Sequence, residues 1–194
     1  MAEFGALDTS TGRPAERPAG LQADMPAAPP AQRPTLRFML SHPAHVIALG
    51  FGAGLAPVAP GTAGTLWAWA SFLALQAWLP PPAIGWVIAA SLPIGCWACA
   101  VTARNLRVLD PGSIVWDEVV AFWLVLWLLM PAGFAAQLAA FALFRFFDAV
   151  KPGPVGWADG LFHGHGWRGG FGIIFDDLVA AFCTLLVLAV WSRL

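Results

Sequence analysis

From Val119 to Met130 every side chain is apolar, and three acids stand just before that run: Asp110, Asp117 and Glu118. A helix that is apolar on all sides has to be buried, in protein or in lipid. Asp110 followed by Pro111 reads as its start. An Asp N-cap accepts from orphan backbone N–H groups, and Pro suits the first helical position. A helix running on from there carries Asp117 about two turns beyond Asp110, on the same face, with Glu118 beside it. Carboxylates at the mouth of an apolar helix are costly to desolvate alone. A cation is the obvious partner.

The apolar run is not isolated. Of the 194 residues, 59% are hydrophobic and 11% charged, whereas soluble domains carry about 25% charged residues. Apolar segments at roughly Thr65–Leu79, Ala83–Val101, Ile114–Met130, Ala132–Phe147 and Gly172–Trp191 predict an all-α, multi-pass membrane helix bundle. Several are shorter than the ~20 residues of a full span, which suits a thinned or partly wet membrane. The turns at Pro80-Pro81-Pro82 and Pro131-Ala132-Gly133 carry no charge and predict antiparallel neighbours. The other connections hold Arg104, Arg107, Lys151 and Arg168, and positive residues mark the cytoplasmic side. The expected topology starts inside, turns outside at the prolines and ends outside. Trp78, Trp86 and Trp191 form an outer aromatic belt in that scheme, and Trp116, Trp157 and Trp167 an inner one.

One folded domain is expected, preceded by a tail. Residues 1–36, Ala-rich and punctuated by proline without an apolar period, cannot bury enough surface to order themselves and predict a disordered cytoplasmic tail. Residues 37–194 form the membrane-embedded helical domain. Cys96, Cys99 and Cys183 lie inside apolar segments and read as buried small hydrophobes. The terminal Ser192-Arg193-Leu194 faintly matches a peroxisomal signal, which a membrane-spanning helix at the chain end discounts.

Past the tail, every acid falls in a cytoplasmic connection or at the inner end of a helix: Asp110, Asp117, Glu118, Asp148, Asp159, Asp176 and Asp177. An ion pathway usually places ionisable groups deep in the bundle. Acids gathered at one surface can instead meet a water-soluble headgroup.

Three further blocks carry chemistry. Gly50 to Thr65 is too broken by glycine and proline for a spanning helix. It reads either as a loop with Thr62 or Thr65 capping the next helix, or as a phosphate cradle of backbone N–H groups and Thr hydroxyls. No Gly-Lys-Ser/Thr follows, so it is not a Walker loop. In Phe144 to Pro152, Arg145 and Asp148 are spaced as neighbours on one helix face. They form an edge salt bridge, or else Asp148 holds a metal while Arg145 or Lys151 meets phosphate oxygens. In Gly169 to Asp177, the acids Asp176 and Asp177 open the last helix. Either they complement its dipole, or one faces a site while the other orients it. His163 and His165 have zinc-like alternation but no thiol partner. Hard carboxylate oxygens without well-placed His or Cys favour Mg²⁺ over Zn²⁺. Mg²⁺ beside Arg and Lys at a membrane surface points to phosphoryl chemistry with direct attack by water.

In order, Gly-x-Gly-Leu-x-Pro-x-x-Pro-Gly-Thr-x-Gly at 52–64, Ser-Ile-Val-x-Asp-Glu at 113–118, Phe-Arg-x-Phe-Asp-x-x-Lys-Pro-x-Pro at 144–154 and Gly-Gly-x-Gly-Ile-x-x-Asp-Asp at 169–177 resemble the phosphatidylglycerophosphatase A family. The resemblance covers about residues 42 to 194. It implies an all-helical, Mg²⁺-dependent bacterial inner-membrane enzyme that converts phosphatidylglycerophosphate to phosphatidylglycerol and phosphate in phospholipid biosynthesis. By the same resemblance, Asp117, Glu118, Asp148, Asp176 and Asp177 are the catalytic, metal-binding acids. Arg145 and Lys151 match the family's basic positions, and Thr62 and Thr65 its Gly-Thr loop. Ala121 and Ala181 stand where the family is expected to carry glycine, and Gly164 to Arg168 looks inserted. The expected partners are the lipid substrate and the membrane, not nucleic acid. The alternatives are a CDP-alcohol phosphotransferase, whose Asp-Gly-x2-Ala-Arg pattern is absent, and a small cation transporter or channel, which would gather the acids in mid-membrane.

Overall fold

The central apolar run folds as a helix, but it begins later than Asp110-Pro111 suggested. In the computed structural model, which describes residues 33–108, 111–161 and 167–192 apart from the Arg168 side chain, this helix spans Trp116–Leu129. The chain before it is held elsewhere: Ile114 N–H donates to the Pro111 carbonyl at 2.8 Å and Val115 N–H to the Ala48 carbonyl at 2.9 Å. Asp110 lies outside the described residues, and the non-helical backbone after Pro111 removes the shared face proposed for Asp110 and Asp117.

The described regular elements are all helical. They are α1 (Leu36–Leu40), α2 (Pro43–Ala48), a 3-10 segment (Gly50–Leu55), α3 (Pro60–Trp78), α4 (Pro81–Leu106), α5 (Trp116–Leu129), α6 (Phe134–Val150), α7 (Pro154–Leu161) and α8 (Trp167–Trp191). Helix α5 is the axis. Val119, Val120, Ala121, Phe122, Val125 and Leu126 are buried around its whole circumference, as an all-apolar helix requires. It packs chiefly on α8, α3 and α4. Phe122 meets Phe144 of α6 at 5.5 Å. Helix α4 turns Ile84, Ile88, Ser91, Gly95, Ala98 and Thr102 inward, the three- and four-residue spacing of a one-sided helix.

The bundle's two ends are distinct. At one, Trp127 Nε1 donates to the Pro81 carbonyl at 2.8 Å and Trp69 Nε1 to Gln137 Oε1 at 2.7 Å. At the other, the starts of α3 and α5 meet the end of α6 and the first half of α8. Near this second end Thr35 Oγ1 caps α1, while residues 1–32, most of the expected tail, lie outside the described part.

Among the described residues two helical stretches are long and apolar enough to cross a membrane: Pro81–Leu106, mean hydropathy 1.8, and Gly169–Trp191, mean hydropathy 2.4. Helix α5, with 14 residues, reaches only about 21 Å at 1.5 Å per residue. The aromatic belts also need one revision. Trp78, Trp86, Trp157, Trp167 and Trp191 are exposed, but Trp116 is buried, with its indole packed on the Gly95 backbone.

Candidate active site

Asp117 and Glu118 occupy the first turn of α5, and Asp177 comes from α8. One carboxylate oxygen from each lies within 4.8 Å of the others. Glu118 and Asp177 are buried, while Asp117 keeps part of its surface open. Glu118 Oε2 and Asp177 Oδ2 have no hydrogen-bond partner. Ionised carboxylates this close repel one another and lack water to screen them. Two acceptor oxygens left without donors in such a cluster fit a bound cation, and the all-oxygen donor set fits a hard one.

Arg145 closes one side. Its Nη1 donates to Asp148 Oδ2, lies 3.7 Å from Glu118 Oε1 and donates to Thr65 Oγ1 at 3.3 Å. Thr65 Oγ1 donates in turn to the Gly61 carbonyl at 2.9 Å. A Cβ at Gly61 would collide with Glu118 Oε1 and crowd Arg145 Nη1 and Nη2 at 3.2 Å. Glycine therefore lets the α3 backbone touch both charges. Gly61→Ala is expected to lower activity by about tenfold or more while leaving helicity unchanged, because displacing positioned groups by ~1 Å costs up to a hundredfold. Circular dichroism beside the turnover assay checks both halves.

Lys151 caps α6 in the left-handed conformation, φ 47°. Its Nζ donates to Asp159 Oδ1 at 2.5 Å and to Asp176 Oδ2 at 2.6 Å. Burial alone would lower the ammonium's pKa, but the two carboxylates outweigh that and raise it. The sign fixes the pH window: this stabilisation is complete below about pH 10 and is lost only as pH rises beyond that, through the raised value.

The structure thus gathers Asp117, Glu118, Asp148, Asp177, Arg145 and Thr65 around one end of the bundle, with Asp176 and Lys151 alongside. Thr62 is half-buried in the first turn of α3. Neither threonine is the expected cap: α3 begins at Pro60 after a left-handed Ala59, and no side chain caps it. The Asp176–Asp177 pair is also misplaced as a helix start. Helix α8 begins at Trp167, nearly three turns earlier, beyond the reach of a helix dipole's first turn. The pair is held by packing in the bundle interior instead. His163 and His165 lie outside the described residues. Asp159, the second partner of Lys151, was not among the expected site residues. It sits on α7, whose glycines and proline give no helix signal.

The family model for phosphatidylglycerophosphatase A matches residues 46–192. The chain belongs to the phosphatidylglycerophosphatase A family. It is 40% identical over 144 residues to phosphatidylglycerophosphatase A of Escherichia coli, covering 74% of this chain and 80% of that one. It is 38% identical over 154 residues to phosphatidylglycerophosphatase A of Haemophilus influenzae, covering 79% and 91%. A Bacteroides thetaiotaomicron protein provisionally named a phosphatidylinositol-3-phosphatase is 37% identical over 151 residues, covering 75% and 91%. No solved structure matches. Within this family's matched span fall all four sequence blocks and every residue of the acid–arginine cluster.

Proposed function

We propose that this chain is the phosphatidylglycerophosphate phosphatase of phospholipid biosynthesis that its family membership indicates, working by Mg²⁺-assisted attack of water. The observation that carries the mechanism is the trio Asp117, Glu118 and Asp177, with its orphan oxygens, packed against Arg145. These three acids are the assigned metal ligands. When bound, Mg²⁺ supplies Lewis-acid polarisation of the phosphate and activation of water. Arg145 lies beside the metal ligands and neutralises oxygens that gain charge as water's oxygen adds to phosphorus and the ester P–O bond breaks. Asp148 aims Arg145. Asp176 holds Lys151 at the rim, where it meets the incoming headgroup. The uncapped first turn of α3 at Gly61–Thr62 offers backbone N–H groups to the same phosphate.

The test is phosphate release by the purified protein from phosphatidylglycerophosphate, phosphatidic acid and phosphatidylinositol 3-phosphate, with Mg²⁺ or with a chelator. Metal-dependent release with preference for phosphatidylglycerophosphate is expected. Preference for the inositol lipid would move the assignment to the activity named for the Bacteroides relative, and no release from any of them would sink the reading.

The site is further assigned to the cytoplasmic side of a bacterial inner membrane, in a multi-pass bundle. Arg104 and Arg107, both exposed, end α4 on the acids' side, and such residues stay inside. Single cysteines at Ser113 and Gly160 should react with an impermeant thiol reagent only from the cytoplasm, and one at Pro81 only from outside. Labelling of Ser113 and Gly160 from opposite sides would refute this topology.

A further inference from the structure

Beside the site, α3 and α5 leave a groove of about 610 Å³. Its α3 wall is Trp67, Ala70, Ala74 and Trp78, one helix face at three- and four-residue steps. Its α5 wall is Trp116 and Trp123, whose rings meet edge to face at 5.7 Å. Small alanines between two large indoles make the trough.

The polar side-chain atoms of Trp116, Trp123 and Ser71 are turned into the protein. Trp123 Nε1 donates to the Ala68 carbonyl and to Ser71 Oγ, both at 3.0 Å. Trp116 Nε1 donates to the Ser91 carbonyl at 3.3 Å. Ser71 Oγ donates to the Trp67 carbonyl at 2.7 Å. A polar ligand gains nothing from groups already bonded, whereas a hydrocarbon needs none of them.

Position and length identify the occupant. Trp116, in the groove wall, is followed directly by Asp117 and Glu118 of the acid cluster. Phe51 packs 6.1 Å from Trp116 and 6.2 Å from Trp67 and adds a third ring at this head end. From Trp67 to Trp78 the α3 face rises about 17 Å, on the order of the length of one extended long acyl chain.

We propose that this groove seats one acyl chain of the phosphorylated lipid whose headgroup reaches the acid–arginine cluster. The proposal rests on the lipid-phosphatase reading above and adds a chain-length determinant to it. A chain lying in the groove draws the headgroup to Arg145, so part of the specificity for a lipid over a soluble phosphate is set along α3.

The test fills the groove. Ala74 is exposed, so Ala74→Phe adds bulk without disturbing the core, and Leu73→Phe, also exposed but outside the groove, is the control. Phosphate release is measured on dipalmitoyl and dihexanoyl phosphatidylglycerophosphate and on the deacylated headgroup. Ala74→Phe is expected to lower kcat/KM for the dipalmitoyl lipid about tenfold, the loss of roughly two seated methylene groups. The dihexanoyl and deacylated substrates, and Leu73→Phe on all three, should stay within about twofold. Equal losses on all substrates, equal losses in both variants, or no loss at all would overturn the groove. A second arm does not depend on turnover. Long-chain phosphatidylglycerol carrying a diazirine near the chain end should crosslink the peptide holding Trp78 and Leu79, and unlabelled phosphatidylglycerophosphate should compete. Uncompeted labelling spread over the lipid-facing surface means bulk lipid only and overturns the proposal. If the wild type releases no phosphate from any lipid, the phosphatase reading fails, while the crosslinks still decide the groove.

Discussion

Asp177→Asn is expected to lower phosphate release by about 10²–10³, the size seen when one charge-stabilising contact in a dry site is lost, yet to leave the metal-free protein as stable as the wild type or more so. The two effects have one cause. Asp177 is 3% exposed and faces Asp117 and Glu118, with one oxygen lacking any donor. Without a cation such a carboxylate is a net cost to the fold, so a neutral amide of the same shape relieves repulsion. With a cation the same carboxylate is a ligand. Thermal melts with and without Mg²⁺ therefore separate the roles. Wild-type protein should gain about 2.7 kcal/mol at a hundredfold excess of metal over its Kd, and Asp177→Asn should gain much less. Glu118→Gln should lose the same metal response and turnover, but without the gain in metal-free stability, because it also breaks the contact with Arg145. If both variants keep wild-type turnover and metal response, the cluster is structural.

The charged residues of this cluster were legible in the sequence, but their depth was not. Arg145 and Asp148 were legible because helix geometry alone makes residues three apart neighbours. Asp117 and Glu118 were legible as charges with no business beside an apolar run. The start of α5 was misread because a local cap signature at Asp110-Pro111 is a weak prior. Tertiary hydrogen bonds from Val115 to Ala48 outweigh it. The start of α8 was misread for the opposite reason. Gly169, Gly170 and Gly172 each cost about 1 kcal/mol of helix propensity, which argues for a later start. Yet a Cβ at Gly170 would collide with the Cys96 carbonyl of α4, so the glycine is what lets α4 and α8 meet inside a helix. Asp176 and Asp177 sit within a stretch able to cross a membrane, but their partners on α5 and α6 lie at those helices' ends. The cluster therefore joins the first turn of α5 and the last turn of α6 to a point well inside α8.

Arg145→Ala is expected to be the most damaging single change at the basic side, because one guanidinium serves three partners on three helices. It pairs with Asp148 on its own helix and with Glu118 on α5, and it bonds Thr65 on α3. Its side chain is 19% exposed, and those of Glu118 and Asp148 are 11% and 12% exposed. Removing it leaves two nearly buried carboxylates without their cation. Breaking a buried pair costs about 3–5 kcal/mol, and the partial exposure here places the loss near the lower figure. Turnover should fall by about 10²–10³, as for loss of one positioned charge. Lysine separates charge from shape. Arg145→Lys restores the positive charge and most of the stability, but all three contacts converge on Nη1, and the shorter lysine stem does not carry its ammonium to that point. It should fold like the wild type and still lose on the order of tenfold or more in kcat/KM. Added guanidinium should partly restore Arg145→Ala and leave Arg145→Lys unchanged. A fully active Arg145→Lys would show that only net charge is needed beside Glu118, and the geometric role assigned to the arginine would fall.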